Sequence, residues 1–320
     1  MSKANLRKNR KIEFVNPEKA RLSEVELVHS IEYIDLVKAV CKSGGGLLDL
    51  EDTVVSPESY DVALYAVGGT IRAINLVINE KFQNAFALVR PPGHHASRYR
   101  ACGFCIFNNV AIGAEYLRRK FGLKRILILD IDAHHGNGTQ ETFYHTQEVL
   151  YISLHQNPRD FPGTGFMDEI GENEGLGYTV NIPLPYGTSD QVYLEAVEEI
   201  VKPIVKQYRP QFMLTSAGLD GHYGDPVANL SLSTFCYQEL YSTLTRLALE
   251  TCNGKLVSVL EGGYNTKFVG KMATTIVAKM SGISYDSHDI PPTENEHAKK
   301  EGGKVLKEVK EIQEEFWNIE

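Results

Sequence analysis

Short apolar runs alternate with helical patterns along most of the 320-residue chain. Six of these runs are apolar at successive positions and are predicted to be strands: Asn84–Val89, Arg125–Ile131, Val149–Leu154, Tyr178–Ile182, Gln211–Ser216 and Lys255–Leu260. Such runs are typical of strands covered on both faces, as in a parallel sheet. We therefore predict an α/β fold with a single doubly wound, mostly parallel sheet flanked by helices.

Helical patterns fill the intervals between these strands. The predicted helices are Ser56-Pro57 to about Asn79, Asn109–Phe121 with Gly122 as its stop, about Gln191–Tyr208 with a kink at Pro203, Thr234–Thr251 and Thr266–Met280. Ser56 as N-cap and Pro57 as first helical residue mark the start of the first helix. A capping box at Ser23-Glu24-Val25-Glu26 predicts a short helical region near the N-terminus.

The C-terminal part is predicted to be a polar surface loop over 284–302 and a terminal helix over 303–318. That helix places Val305, Val309, Ile312 and Phe316 along one side. Such a stripe more often packs on the same domain than on a partner. We expect residues 1–320 to form one domain.

Charge and cysteine content narrow the class of protein. With 33 Lys and Arg against 41 Asp and Glu, the net charge is −8, which argues against non-specific nucleic-acid binding. The five cysteines form no disulfide framework. No run approaches the roughly 20 apolar residues of a membrane span, and the basic N-terminus MSKANLRKNRKIEF has no apolar signal region. We expect a cytoplasmic protein without a membrane or nucleic-acid partner, and the sequence leaves oligomerisation open.

Residues with catalytic chemistry follow four of the predicted strands. The four segments are Arg90–His95, Asp130–Gly138, Ala217–His222 and Glu261–Asn265, and each brings Asp, His or Tyr next to glycine. Ligands bind beyond the carboxyl ends of strands in such sheets. We therefore expect the four segments to build one site.

A metal site is predicted from two of these segments. Asp132 and His134 are two residues apart at a strand end and project to the same side, and Asp220 supplies a third ligand. Three nitrogen and oxygen ligands with an open position are typical of catalytic zinc, and iron(II) accepts the same set. Helix capping is the alternative role for an isolated Asp, but several agreeing segments favour the metal.

The remaining candidates suit acid–base chemistry and a channel. His94 and His95 can move protons near neutral pH, and Tyr264, preceded by two glycines, can donate to an oxyanion. The segment Cys102-Gly103-Phe104-Cys105 has redox spacing, but its position beside the histidines favours a pocket wall. Phe104 and Phe161 are candidates for the walls of an apolar channel, with core packing as the alternative.

Six strings in a fixed order carry a family resemblance over roughly Val28 to Ile283. They are RPPGHHA, GFCIFNN, ILDIDAHHGNGTQETFY, SLHQN followed by FPGTG, SAGLDGHYGDP, and LEGGYN. The chain resembles the histone deacetylase superfamily, in particular its class II-like and prokaryotic branch, which includes acetylpolyamine amidohydrolases. The resemblance implies the arginase–deacetylase fold and zinc-dependent hydrolysis of an acetylated amine, such as acetyl-lysine in protein or a small acetylated amine, with release of acetate.

The resemblance also implies a role for each site residue. Zinc would be held by Asp132, His134 and Asp220. His95 would act as general base toward the zinc-bound water and then as acid toward the leaving amine, while His94 would supply charge. In this family pattern Asp130 orients His94, Asn137 orients His95, and Tyr264 binds the substrate carbonyl. The channel would be lined by Gly103, Phe104 and Phe161.

Two potassium sites are implied in the same way. One would involve Asp130, Asp132, His134, Ser153 and Leu154. The other would involve Phe143, Thr146, Val149 and Tyr178.

Two departures from the family pattern affect the expectation. The His-Pro…Arg-Pro-x-Arg segment and edge strand with which members usually begin are not found, so we expect a sheet without that strand. Polyamine-specific members carry an acidic residue where Val227 follows Gly224-Asp225-Pro226, so no polyamine selectivity is indicated. The loop acids Asp49, Glu51 and Asp52 could attract a cationic substrate or be simply solvated.

Two other functions are open to proteins with this fold and must be compared with the residues present. A two-manganese ureohydrolase needs further bridging carboxylates, but Gly136 and Gly218 stand where they would be. A catalytically impaired acyl-lysine or partner-binding module on the same fold remains an alternative, although the full set of catalytic residues favours an enzyme.

Overall fold

The computed structural model describes residues 6, 9–49, 52–285 and 289–319. Among them, the strands are β1 (Gly46–Leu47), β2 (Val54–Val55), β3 (Asn84–Ala87), β4 (Ile126–Asp130), β5 (Val149–Gln156), β6 (Thr179–Leu184), β7 (Phe212–Ala217) and β8 (Leu256–Leu260). β3 to β8 form one parallel sheet in the order β3-β8-β7-β4-β5-β6. The predicted parallel sheet is confirmed. The antiparallel β1–β2 pair was not predicted, because two-residue strands are too short to show a periodicity.

The helices are α1 (Leu22–Val25), α2 (Ile31–Lys42), α3 (Ser59–Ile78), α4 (Asn109–Phe121), α5 (Asn137–Phe143), α6 (Asp190–Ala196), α7 (Lys202–Tyr208), α8 (Thr234–Cys252), α9 (Val269–Met280) and α10 (Glu296–Gln313). They cover both faces of the sheet. Successive β4 side chains enter two separate cores, Ile126 and Ile128 beside α3 and α4, Leu127 and Leu129 beside α6 and α8. This alternation explains why the strands are apolar at successive positions.

Several helix starts differ from the prediction; α9, for example, begins at Val269 rather than at Thr266. α3 begins at Ser59 rather than at Ser56, because the Ser56 carbonyl accepts the Ser59 N–H at 3.1 Å in a turn that precedes the helix. The capping box near the N-terminus lies two residues earlier than predicted, with Arg21 rather than Ser23 as N-cap. Its carboxylate is that of Glu24 rather than Glu26, and it accepts the Arg21 N–H at 2.7 Å.

The predicted kink at Pro203 is replaced by a wider turn. A π-helical turn over Val197–Val201 joins α6 to α7, and Pro203 lies in the first turn of α7. Proline has no N–H to give and its ring crowds the carbonyl four residues earlier, so a widened turn before it keeps the helix continuous.

The boundary between the predicted surface loop and the terminal helix was wrong. α10 begins at Glu296, seven residues before 303, because Asn295 Oδ1 accepts from the N–H groups of His297 and Ala298, each at 3.1 Å. Gly302 and Gly303, which suggested a break, lie inside the helix.

Among the residues that the structure describes, one helix is long and apolar enough to cross a membrane by length and composition alone. This is α3, Ser59–Ile78, although the sequence analysis found no run that approaches a membrane span. More than half of it is buried inside the fold, where it packs on α4 and β3 as a core helix.

Candidate active site

The four predicted segments meet at the carboxyl edge of the sheet. β3, β8, β7 and β4 are neighbours in that order, so the segments that follow them emerge side by side. The Leu219 N–H donates to the Gly262 carbonyl at 3.0 Å, which joins the segments after β7 and β8. The sheet order therefore brings together residues that are far apart in sequence.

Asp132, His134 and Asp220 form a buried triad with potential ligand atoms within 4.8 Å of one another. His134 Nδ1 lies 3.3 Å from Asp132 Oδ1 and 3.0 Å from Asp220 Oδ2. The second carboxylate oxygens accept backbone N–H groups, Asp132 Oδ2 from Gly262 at 2.8 Å and Asp220 Oδ1 from Ala133 at 2.9 Å. These bonds leave the other oxygen of each carboxylate directed at the imidazole nitrogen, and Asp132 Oδ1 also accepts the His134 N–H at 2.9 Å.

The electrostatics of this triad suit a cation. Burial raises the pKa of Asp220 to about 7, and the neighbouring Asp132 adds to the effect. Burial also opposes a charge on His134, but Asp132 and Asp220 overcome it and raise its pKa to about 10. Two buried carboxylates and an imidazole nitrogen directed at one point are a donor set that fits zinc or another first-row divalent ion.

The tandem histidines lie beside this triad with their rings 3.9 Å apart. His94 Nδ1 is 3.1 Å from Asp130 Oδ2, and His95 Nδ1 is 2.8 Å from Asn137 Oδ1. The orienting partners expected for both rings are thus in contact with them. His94 Nε2 lies 3.8 Å from Asp132 Oδ1, so this ring reaches the ligand group directly.

Their surroundings separate the two histidines electrostatically. Burial opposes a charge on His94, but Asp130 and Asp132 outweigh it and raise its pKa to about 10. Burial and the neighbouring His94 hold the pKa of His95 well below its usual value. A cationic His94 beside a neutral His95 leaves His95 as the ring that can accept a proton.

Aromatic rings pack against the histidines and the tyrosine of the site. Phe161 packs edge-on against His95, with ring centroids 4.9 Å apart, and against His134 at 5.8 Å. Phe104 packs against Tyr264 at 5.7 Å. Gly103 touches His95 so closely that an added Cβ would lie 2.4 Å from His95 Cδ2. The predicted channel residues therefore lie next to the predicted catalytic residues.

The CGFC segment forms a turn. Cys102 and Cys105 are its first and last residues, and Gly103 and Phe104 lie between them. The Cys105 N–H donates to the Cys102 carbonyl at 2.9 Å, and neither cysteine is in a disulfide. Burial raises the pKa of the Cys105 thiol well above its usual value. A thiol kept protonated is a poor nucleophile, which favours the pocket-wall interpretation over redox catalysis.

Two carboxylates at the site had no role in the sequence interpretation. Glu261 is fully buried directly after β8, and its Oε2 accepts the N–H groups of Gly93 at 2.6 Å and His94 at 3.2 Å. Asp225 Oδ2 accepts the N–H groups of Tyr264 at 2.7 Å and Asn265 at 3.2 Å. Their positions in LEGGYN and GDP were the available signal, but their partners depend on the packing of separate loops.

Of the three loop acids, Asp49 and Asp52 lie within the described residues. Asp49 Oδ1 accepts the N–H groups of Asp52 at 3.0 Å and Thr53 at 2.9 Å, and the Thr53 hydroxyl oxygen accepts the Phe104 N–H at 3.1 Å. Asp49 thus supports the CGFC turn indirectly, through Thr53. Glu51 lies outside the described residues.

Residues assigned to potassium lie on adjacent strands and loops. Asp130 pairs with Ser153 in the β4–β5 register. In the second group, the Phe143 carbonyl accepts the Thr146 N–H at 3.2 Å, and the Tyr178 carbonyl accepts the Tyr151 N–H at 2.9 Å.

The chain is similar in sequence and in fold to known proteins. The family described as histone deacetylase domain matches residues 1–280, most of the chain. This chain belongs to the histone deacetylase family. A probable deacetylase from Archaeoglobus fulgidus is 45% identical over 288 residues, which cover 89% of this chain and 78% of the relative. A histone deacetylase-like amidohydrolase from Pseudomonas aeruginosa is 36% identical over 256 residues, covering 80% and 67% respectively.

The fold agrees with a solved family structure. The crystal structure of the HDA15 HD domain superposes with a TM-score of 0.87 at 34% identity, covering 99% of this chain and 85% of that chain. The single parallel sheet flanked by helices is therefore the arginase–deacetylase fold, as expected. Family membership makes the chain a hydrolase that acts on amides, a deacetylase or amidohydrolase.

Proposed function

We propose that this protein hydrolyses an acetylated or otherwise acylated amine, such as acetyl-lysine in a protein or a small acetylated amine, and releases acetate. The observation that carries the proposal is the pair of histidines in ring contact, His94 bonded to Asp130 and His95 to Asn137, beside the buried Asp132–His134–Asp220 triad. The family assignment supports amide chemistry at this site.

Each residue of the pair has a distinct role in this proposal. His95, kept neutral by burial and by His94, takes a proton from the attacking water and returns it to the leaving amine nitrogen. His94, held cationic against Asp130, stabilises negative charge that develops nearby. Asn137 holds the His95 ring through its Nδ1, so that Nε2 faces the reaction.

Tyr264 completes the machinery. Its hydroxyl donates a hydrogen bond to the substrate carbonyl and to the developing oxyanion. The Arg90 guanidinium lies 5.5 Å from the centre of the Tyr264 ring. It also donates to the Glu261 carbonyl at 2.6 Å, so Arg90 is fixed where it can hold the Tyr264 ring in place. Phe104 and Phe161 flank the stem of the acylated amine and keep water away from it.

We infer that Asp132, His134 and Asp220 hold zinc, with iron(II) as the second candidate. A bound ion of this kind supplies Lewis acidity toward the amide carbonyl and toward water. The test is metal stoichiometry by plasma mass spectrometry. Asp220→Ala is expected to lose the metal, while Asp160→Ala, an acid paired with Tyr186 at 2.6 Å, keeps it. Unchanged metal content in Asp220→Ala would refute the ligand assignment.

We also propose potassium at the two sites named above. The support is the proximity of their strands and the hard oxygen donors of main-chain carbonyls and carboxylate. Activity measured in potassium and in tetramethylammonium buffers tests this. Equal activity and equal thermal stability in both would contradict it.

The same proposal places one deacetylase domain over 1–320 in the cytoplasm, with an acylated lysine peptide or small amine as its partner. The described cores share one sheet, which supports a single domain. None of the five cysteines is in a disulfide, which agrees with a reducing compartment. Relatives named as chloroplastic occur in plants, so compartments differ within the family.

The decisive experiment is acetate release from an acetyl-lysine peptide and an acetylpolyamine with zinc present. Tyr264→Phe is expected to lower kcat about 10²- to 10³-fold without changing metal content, because it removes one oxyanion donor. Tyr116→Phe, the same change at a helix residue that bonds Asn75, is the matched control and keeps full activity. Full activity in Tyr264→Phe would refute the oxyanion role. No turnover of any acylated amine by the metal-loaded protein would favour the binding module instead.

A further inference from the structure

A segment beyond the family-matched residues 1–280 returns to the active site. In this segment, Asp289 Oδ2 accepts a hydrogen bond from His222 Nε2 at 2.8 Å. The Asp289 side chain is 4% exposed and that of His222 is 0% exposed, so the pair is sealed from solvent. Asp289 also accepts the Thr234 N–H at 3.0 Å and the Thr234 hydroxyl at the first turn of α8.

His222 lies two residues after the metal-ligand candidate Asp220. Its Nδ1 accepts the Gly224 N–H at 3.1 Å, so Nε2 carries the proton that is donated to Asp289. The ring packs against both Tyr223 and Phe268, each with a centroid 4.4 Å away, and those two rings lie 5.7 Å from each other. His222 is thus held through both ring nitrogens and by two aromatic neighbours.

From His222 the contacts lead to Tyr264. The His222 carbonyl accepts the Asp225 N–H at 2.8 Å. Asp225 Oδ2 in turn accepts the N–H groups of Tyr264 and Asn265. Phe268, which packs on His222, is four residues after Tyr264. Displacement of His222 would therefore be transmitted to the loop of Asp220 and to the loop of Tyr264.

We propose that Asp289 is a positioning residue of the active site, which anchors His222 to the start of α8 and thereby fixes the 218–226 and 261–268 loops. The effect on catalysis rests on the proposed hydrolysis, while the effect on the loops does not. The carboxylate reaches the site from a stretch outside the family match, so this anchor is built from two parts of the chain 67 residues apart.

The competing role for Asp289 is simple stabilisation of the fold by capping α8. Two control variants separate the roles. Glu294→Ala removes another anchor of the same segment, the bond from Ser189 Oγ to Glu294 Oε1 at 2.6 Å, which lies at the start of α6. Thr234→Val removes the hydroxyl bond to Asp289 at α8 but keeps the His222–Asp289 pair.

The first measurement is amide hydrogen exchange by mass spectrometry on the metal-loaded full chain and on the chelated chain. Asp289→Ala is expected to speed exchange in peptides covering 218–226 and 261–268, whereas Glu294→Ala and Thr234→Val leave them as in the wild type. Equal exchange in all three variants would overturn the proposal, whether or not the protein is an active deacetylase.

The second measurement is steady-state kinetics with the most active acylated amine. Asp289→Ala is expected to lower kcat about 10- to 100-fold with little change in KM, because misplacing catalytic groups by about 1 Å can cost this much. His222→Phe should give the same loss, and the double variant no further loss. Additive losses would show that Asp289 acts elsewhere. If Asp289→Ala does not fold, Asp289→Asn takes its place. It is expected to change exchange in 218–226 and 261–268 and kcat in the same direction, by smaller amounts.

Discussion

The His95 ring packs directly against Gly103, a position where a larger residue would displace it. Gly103 has a φ of +53°, a conformation that L side chains rarely adopt, and it lies against the His95 ring. A residue with a side chain would meet two separate obstacles there, backbone strain and a collision with the ring and with Phe161 Cζ at 3.0 Å. Gly103 therefore links the conformation of the CGFC turn to the position of the His95 ring, the proposed general base.

Gly103→Ala is expected to lower kcat at least about tenfold, since its methyl group must displace His95. Gly122→Ala is the matched control, because Gly122 has a similar φ of +67° but open space around it. Both variants should lose about 1–2 kcal/mol of unfolding free energy from the left-handed backbone, measured by urea denaturation. Equal kcat values in the two variants would contradict the steric argument.

At the scale of elements, α10 closes one side of the molecule. It packs on the edge strand β6 and on α6, and Trp317 after it donates from Nε1 to the Gly177 carbonyl at 2.9 Å. Gly302 permits this approach, since a Cβ there would lie 2.6 Å from Val192 Cγ1, while Gly303 faces open space. The two glycines thus have different roles within one helix.

Gly302→Ala is expected to lower the free energy of unfolding by about 1 kcal/mol or more, because overpacking outweighs the better helix propensity. Gly303→Ala is expected to raise it, by up to about 1 kcal/mol, because only the propensity changes. Thermal and urea unfolding measure both. Stabilisation by both substitutions would show that α10 does not pack closely on Val192.

At the scale of the whole molecule, burial of a neutral histidine couples stability to pH. His29 is buried between Tyr33 and Phe107, and its Nε2 accepts the Asn108 N–H at 2.8 Å. Burial lowers its pKa to about 3. In the unfolded chain histidine titrates near 6.5, so below that pH the unfolded state binds more protons and stability falls with acid.

The slope from His29 is up to about 1.4 kcal/mol per pH unit between pH 6.5 and the folded pKa, and it vanishes above pH 6.5. His29→Gln is expected to reduce the slope of unfolding free energy against pH, between pH 6.5 and 5, by up to about 1.4 kcal/mol per pH unit. Urea denaturation of both proteins, with chelator present, measures the slopes. Parallel slopes would mean that His29 is not held neutral in the fold.

The sequence by itself determined the sheet, most helices and the residues that we propose carry the chemistry. Strand and helix periodicities are local, and the residues at strand ends are local too, so Asp132, His134, His94 and Tyr264 were predictable as one site. The tertiary structure decided what supports them. Glu261 holds the backbone of His94, Asp225 holds that of Tyr264, and Asp289 reaches His222, although its segment was predicted as a surface loop. Such partners come from separate loops, and no local pattern specifies which loops pack together.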